Sequence, residues 1–142
     1  MEKDLFKKTI KLYCDGASKG NPGPSGAGAI AYIDNKVLFE ISKDLGINTN
    51  NFAEYSALYL GLKEILSKIK NPEFYRLEIY LDSELIVKQL KGEYKIKSNN
   101  LKELHQKIKE ILLQFPDFDI YHIPREQNKI ADKLASKKIF ET

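Results

Sequence analysis

The sequence predicts a mixed α/β fold, an open sheet with helices on its faces. Residues 10–15 and 77–82 alternate apolar and polar side chains, as half-buried strands do. Short turns in residues 20–42 favour antiparallel pairing, and residues 51–69 have apolar positions at helical spacing. Because a helical crossover favours parallel pairing, the sheet should contain both arrangements.

Three strands are predicted first. Alternation places the first strand at about 9–15, with Cys14 directed into an apolar layer and Asp15 away from it. The segment GNPGPSGAG then turns the chain into AIAYI, and Asp34-Asn35-Lys36 turns it into VLFEIS. These strands should form an antiparallel start to the sheet.

Helices and two further strands are predicted next. A helix from Asn51 to about Lys68 should stop at Asn71-Pro72, because a residue before proline disfavours helical geometry. A strand ending at Asp82 and a short helix follow it. An amphipathic helix over 101–115, a strand at about 118–123 and a helix opening near Asn128 complete the prediction.

Length and composition predict one cytoplasmic domain. The chain has 142 residues and one cysteine, which suits a single core over about 9–136 in domain 1–142 and excludes a disulfide framework. The N-terminal MEKDLFKK lacks the apolar region of a signal peptide, and no apolar stretch approaches the about 18 residues that span a bilayer. No membrane association and no obligatory protein partner are expected.

Basic residues permit contact with a polyanion. The net charge is only +3, so the charge alone favours the simpler interpretation of a solvated lysine-rich surface. The recurring basic positions are Lys88, Lys91, Lys95, Lys97 and Lys102.

Four carboxylates lie within distinctive phrases. They are Asp15 in YCDGASKGNPGPSGAG, Glu54 in TNNFAEYSAL, Asp82 in IYLDSELIVKQL and Asp132 in IPREQNKIADKLA. Asp15 and Asp82 each end a predicted strand, two residues after a tyrosine on the same strand face. Since ligands of open α/β sheets gather at the carboxyl ends of strands, two such aspartates predict a site for a hard cation.

Together the four phrases resemble the type 1 ribonuclease H family, in the family's order and over about Thr9 to Ser136. The resemblance implies a ribonuclease H-like fold, a five-stranded mixed sheet with helices on both faces. It also implies hydrolysis of the RNA strand of RNA–DNA hybrids, leaving a 3′-hydroxyl and a 5′-phosphate. The cofactor implied is Mg²⁺, two ions with substrate, for which Mn²⁺ can substitute. The implied catalytic and metal-binding residues are Asp15, Glu54, Asp82 and Asp132.

The resemblance also implies substrate contacts. Asn21, Asn51 and Glu54 match positions that reach consecutive 2′-hydroxyls through the minor groove. Thr49 with Asn21 matches a pocket that grips a phosphate of the DNA strand. A glycine turn that includes Gly16 can let the backbone approach phosphate or ribose closely.

Two departures from many relatives stand out. Only GEYKIKSN separates Lys91 from the next helix, where many relatives carry a lysine-rich protrusion. The loop before Asp132 is also too short for the family's mobile histidine. Arg125 is better placed than His122 to replace that histidine, since His122 lies in a strand pattern. This shortened pattern resembles a branch of the family found in archaea, some bacteria and plants.

Less specific interpretations remain open for each residue. Asn51 and Glu54 fit a helix capping box, Asp82 fits a helix N-cap, and Asp132 fits a solvated helical position. The glycines of GNPGPSGAG fit a simple hairpin. For the whole chain, the alternatives are a nucleic-acid binding module without turnover and a broader nuclease that also cuts double-stranded RNA.

Overall fold

The computed structural model describes residues 7–140, apart from the side chains of Lys138 and Phe140, and contains a five-stranded sheet. The strand order is β3-β2-β1-β4-β5. β2 pairs antiparallel with β1 and β3, whereas β4 pairs parallel with β1 and β5. The predicted mixed sheet is therefore confirmed. Its strands are β1 (Lys8–Ser18), β2 (Gly23–Ile33), β3 (Lys36–Asn48), β4 (Tyr75–Leu81) and β5 (Phe118–His122).

Four helices accompany the sheet within residues 7–140. Each predicted helix is present, with ends that differ from the predicted ones by a few residues. Short 3₁₀ turns precede β4 and the last helix. The described helices are α1 (Asn50–Lys68), α2 (Glu84–Leu90), α3 (Asn99–Leu112) and α4 (Lys129–Phe140). In this described range, no helix is long and apolar enough to cross a membrane.

The main core lies between one face of the sheet and helices α1 and α3. Leu12 of β1, Leu58 of α1 and Ile108 of α3 are each fully buried in one apolar cluster. Burying such a side chain contributes roughly 1.5–3 kcal/mol. Cys14 is buried in this layer, as the alternation of β1 predicts.

Helix α4 packs against β2 on the opposite face of the sheet. A Cβ atom on Gly26 would lie 2.1 Å from the Ala135 carbonyl oxygen, and one on Gly28 would lie 2.3 Å from the Ala131 carbonyl oxygen. The prediction of a turn through GNPGPSGAG is therefore wrong in its extent, because β2 begins at Gly23. These glycines let a helix backbone approach a strand, which requires the absence of a side chain.

The first strand is also longer than predicted. β1 continues three residues past Asp15, to Ser18, and pairs with β2 through Asp15↔Gly28 and Ser18↔Ser25. Asp15 thus lies inside the sheet and is 7% exposed, whereas the alternation pattern placed it at a strand end. The pattern ended early because the small residues after Asp15 carry no periodic signal.

Candidate active site

Parallel pairing of β1 and β4 brings two aspartates to the same face. Tyr13 and Tyr80 are paired in register, and their rings stack with centroids 4.6 Å apart. Asp15 and Asp82 each follow two residues later, so their side chains emerge on the tyrosine face. The adjacency expected from the sequence is therefore present, although only Asp82 follows the end of its strand.

Two helices supply the other carboxylates. Glu54 comes from the first turns of α1. This helix lies so close to β1 that a Cβ on Gly16 would be 2.3 Å from the Ala53 carbonyl carbon. Asp132 comes from the first turn of α4. All four carboxylates line one cavity of about 670 Å³. The same cavity is lined by Gly16, Asn51 and Arg125.

The capping interpretations of Glu54 and Asp82 are wrong. Thr49 is the N-cap of α1, and its Oγ1 accepts a hydrogen bond from the Phe52 N–H at 3.2 Å. Ser83, rather than Asp82, caps α2 by accepting from the Ile86 N–H. Neither carboxylate is therefore occupied as a helix cap, and both face the cavity.

Burial and mutual repulsion raise the pKa of Asp15. Desolvation is the main cause, followed by the charges of Asp82 and Glu54 and by contact with Asp132, and together they raise the pKa of Asp15 to about 8. The Gly16 N–H donates a hydrogen bond to Asp15 Oδ1 at 2.9 Å. At neutral pH the cation-free site therefore holds protons that ordinary carboxylates would lose.

The surroundings of Glu54 raise its pKa as well. Desolvation and the charge of Asp82 raise the pKa of Glu54 to about 7, against the opposing effects of a Ser83 hydrogen bond and the Arg125 charge. Two neighbouring carboxyls with raised pKa values mark a functional site more often than a structural one.

Arg125 is exposed at the mouth of the cavity. Its guanidinium Nη2 lies 3.9 Å from Asp132 Oδ1, and its side chain is 79% exposed, so the ion pair contributes little to stability. His122 ends β5, is exposed and lies outside the cavity lining. His105 lies on α3, with its Nε2 3.3 Å from the Gln89 carbonyl oxygen.

The donor set suits a magnesium ion. Within residues 7–140, no three His, Cys, Asp or Glu side chains form a ready-made metal cage. Mg²⁺ does not require one, because it keeps several waters and uses one or two carboxylates plus substrate phosphates. All the candidate ligands are carboxylate oxygens, and a cation would relieve the repulsion that raises the pKa of Asp15. By this chemistry the residues fit the ion.

A second cavity adjoins the first. It measures about 440 Å³, and Asn51 lines both. Asn21 and Thr49 also line it, and Asn21 Oδ1 accepts from the Asn50 N–H at 3.0 Å. The structure thus brings the predicted substrate-binding residues together, while their contact with substrate stays a prediction.

Asn128 was missed as a site residue. Its side chain is buried, and its Nδ2 donates to the Cys14 carbonyl oxygen at 2.9 Å and to Asp82 Oδ2 at 3.0 Å. Sequence reasoning placed it only at a helix start. Its position four residues before Asp132 was visible, but its contact with β1 and Asp82 exists only in the folded chain.

The fold of this chain is shared with solved structures of ribonucleases H. Compost-derived LC11-RNase H1 superposes with a TM-score of 0.88 at 39% identity, covering 94% of this chain and 96% of that one. Its structure in complex with RNA/DNA hybrid superposes with a TM-score of 0.82 and covers 90% of this chain and 94% of that one. The fold is therefore that of ribonuclease H.

Sequence comparison agrees. A family model described as reverse transcriptase-like matches residues 13–138. Ribonuclease HI of Halobacterium salinarum is 35% identical over 92% of this chain and 64% of its own length. Bifunctional protein Rv2228c of Mycobacterium tuberculosis is 35% identical over 89% of this chain, which spans about a third of that protein (34%). The chain belongs to the type 1 ribonuclease H family.

Proposed function

We propose that the protein hydrolyses the RNA strand of RNA–DNA hybrids by two-metal-ion catalysis and leaves a 3′-hydroxyl and a 5′-phosphate. The observation that carries the proposal is the cavity in which four carboxylates meet. The similarity to LC11-RNase H1, which has been solved with RNA/DNA hybrid, supports the choice of substrate.

Mg²⁺ is the proposed cofactor, and Mn²⁺ is its substitute. When bound, two such ions supply a water of lowered pKa and stabilise charge on the leaving oxygen. Asp15, which shares the cavity with the other three carboxylates, would be the central ligand of the ions. Asp82 and Asp132 would also hold them, and Glu54 would complete the site near the attacked ribose.

Substrate binding is assigned to the two adjoining cavities. Asn51 lines both, so it can bridge the cleaved strand and the opposite strand. Asn21 and Thr49 would contact a DNA-strand phosphate in the second cavity, and the backbone of Gly16, which lines the first cavity, would contact the ribose-phosphate backbone beside Asp15. Reading 2′-hydroxyls from the minor groove requires little of the base sequence.

Arg125 is the proposed replacement for a mobile histidine. Its guanidinium is exposed at the cavity mouth, where a phosphate would approach. Arginine stays protonated at any working pH, so it would contact the scissile phosphate or help product leave without carrying a proton.

Three duplexes of one sequence provide the test: an RNA–DNA hybrid, a DNA duplex and an RNA duplex, each with Mg²⁺ or with EDTA. We expect cleavage of the hybrid alone, only with the metal, and only in the RNA strand. End-group analysis should find 3′-hydroxyls and 5′-phosphates. Hybrid binding should weaken steeply as salt rises, because phosphate contacts release counterions.

The other outcomes distinguish the alternatives. Cleavage of duplex RNA at a similar rate would indicate a broader nuclease, and tight hybrid binding without cleavage would indicate a binding module. Efficient cutting of duplex DNA would favour another nuclease branch of the fold. Asp15→Asn protein prepared in parallel controls for contaminating nuclease.

A further inference from the structure

Asn128 lies where two strands of the sheet separate. The register between β1 and β4 ends at Tyr13↔Tyr80, one residue before Cys14 and Leu81. Beyond that point the Cys14 carbonyl accepts a hydrogen bond from Asn128 Nδ2 at 2.9 Å. The amide therefore continues the connection between β1 and β4 past the end of the ladder.

The orientation of the amide follows from its neighbours. Cys14 O and Asp82 Oδ2 are both acceptors, at 2.9 and 3.0 Å, so the NH₂ group must face them. Oδ1 has no hydrogen-bond partner among the described residues, although Asn128 is only 1% exposed. A buried acceptor without a partner destabilises the fold, so core packing alone does not explain an amide here.

Backbone hydrogen bonds also connect Asn128 to Asp132, the carboxylate on α4. The Asp132 N–H donates to the Asn128 carbonyl at 3.0 Å, and the Asn128 N–H donates to the Arg125 carbonyl at 2.9 Å. One residue thus contacts Asp82 directly, the peptide beside Asp15 and the helical turn that carries Asp132. Its hydrogen bonds therefore connect the three segments that carry Asp15, Asp82 and Asp132.

We propose that Asn128 is a positioning residue, which locks the Asp82 carboxylate against β1 so that Asp15 and Asp82 share one cation. This inference rests on the proposed function. Holding Oδ2 of Asp82 fixes the torsion of the carboxylate and leaves Oδ1 available. Partners of metal ligands commonly act in this way, and their loss typically costs about 10–100-fold in metal affinity or activity.

Asn128→Leu tests the proposal, because leucine has a similar branched shape and lacks the amide. The matched control is Gln89→Met, which removes another buried amide whose Oε1 accepts from the Tyr55 hydroxyl at 2.7 Å. Mn²⁺ binding is measured by calorimetry without nucleic acid, and kcat and KM are measured on one hybrid. Denaturant unfolding of each variant reports the fold.

We expect Asn128→Leu to fold and to bind Mn²⁺ about tenfold more weakly, with kcat reduced at the wild-type metal concentration and partly restored by more metal. KM for the hybrid should stay within about a factor of three, while Gln89→Met should lose stability and keep wild-type Mn²⁺ affinity. Asn128→Ala should repeat the metal defect if leucine proves too large.

Wild-type Mn²⁺ affinity and turnover in folded Asn128→Leu or Asn128→Ala would overturn the proposal. If neither variant folds, Asn128 is a structural residue and the proposal is equally wrong. An equal loss of Mn²⁺ affinity in Gln89→Met would mean that general loosening of the core causes the defect. A wild-type protein that binds no Mn²⁺ and cuts no hybrid would instead reject the proposed function itself.

Discussion

Among single residues, burial distinguishes Asp15 and Glu54 as acidic side chains whose charge is disfavoured. Asp15 is 7% exposed, in a chain with twenty aspartates and glutamates (Asp+Glu 20). An exposed carboxylate needs no partner, whereas a buried one must be neutralised, protonated or bound to a cation. Burial raises the pKa values of Asp15 and Glu54 because it disfavours their charged forms.

Replacing a site carboxylate by its amide should abolish or severely reduce cleavage. Asp15→Asn, Glu54→Gln, Asp82→Asn and Asp132→Asn each keep the side-chain shape but lose the charge that would hold a cation. Initial rates on one hybrid in Mg²⁺ provide the measurement. Asp34→Asn is the matched control, since Asp34 lies in an exposed turn with a positive φ of 48° that asparagine tolerates. Near-wild-type turnover of Asp15→Asn or Asp82→Asn would show that the site is assigned wrongly.

Arg125→Ala should lower turnover by about ten- to a hundredfold, as expected for losing a charged phosphate contact of roughly 1.5–3 kcal/mol. His122→Ala should leave turnover within about a factor of three, because His122 lies outside the cavity lining. Steady-state rates of both variants on one hybrid decide between them. If His122→Ala folds but turns over the hybrid much more slowly, and Arg125→Ala keeps the wild-type rate, the two assignments must be reversed.

At the scale of secondary-structure elements, close backbone approach places the helices that carry Glu54 and Asp132. Gly16 lets α1 lie against β1, and Gly26 and Gly28 let α4 lie against β2. A methyl group at any of these three positions would overlap backbone atoms, which cannot move aside as a flexible side chain can. The glycines near the site therefore determine the distance between strand-borne and helix-borne carboxylates.

Gly28→Ala should destabilise the protein by about 2–4 kcal/mol and reduce turnover, because its Cβ would meet the Ala131 carbonyl oxygen at 2.3 Å and push α4 with Asp132 off the sheet. Gly46→Ala is the control, because the surroundings of Gly46 are open and its φ is +72°. Its only expected cost is that of placing an alanine in the left-handed conformation, about 1 kcal/mol of unfolding free energy. Denaturant unfolding compares the two. Equal, small losses would show that α4 can shift without cost.

At the scale of the whole molecule, the carboxylate cavity couples stability to pH and to metal. The pKa of Asp15 rises from 3.8 to about 8 and that of Glu54 from 4.5 to about 7 on folding without a cation. A group whose pKa is raised on folding stabilises the fold below its unfolded pKa, and that contribution is lost as pH rises through the folded pKa. The cation-free protein should therefore become less stable between about pH 4 and pH 8.

In EDTA, the free energy of unfolding should fall by a few kcal/mol across that window, since one pKa unit corresponds to about 1.4 kcal/mol. Asp15→Asn should flatten the dependence. Denaturant unfolding at a series of pH values gives the measurement, and a wild-type stability that rises steadily from pH 5 to pH 8 would contradict it.

Millimolar Mg²⁺ or Mn²⁺ should raise the midpoint of thermal unfolding, because the ion binds a site that the unfolded chain lacks. The increase should be larger at pH 8 than at pH 6, where the raised pKa values keep protons on Asp15 and Glu54. Asp15→Asn should blunt the increase. An equal shift in wild type and mutant would indicate unspecific stabilisation.

The order and type of the elements could be predicted from local patterns, and so could the four carboxylates that the fold brings into one cavity. Period-two and period-3.6 patterns survive in strands such as β4 and helices such as α3, because one face of each must be apolar. The phrase around each carboxylate is local, so the order of the four phrases along the chain could be recognised without the fold.

The extent of β1 and β2 and the contacts of Asn128 became visible only in the folded chain. Small residues such as Gly26 and Gly28 carry no periodic signal, and their function is to admit α4 from more than a hundred residues away. Asn128 and Cys14 are separated by 114 residues, so nothing local could reveal that the amide joins β1 to Asp82. Burial raises the pKa of Asp15 for the same reason: desolvation depends on every segment that packs around a side chain, and those segments meet only in the fold.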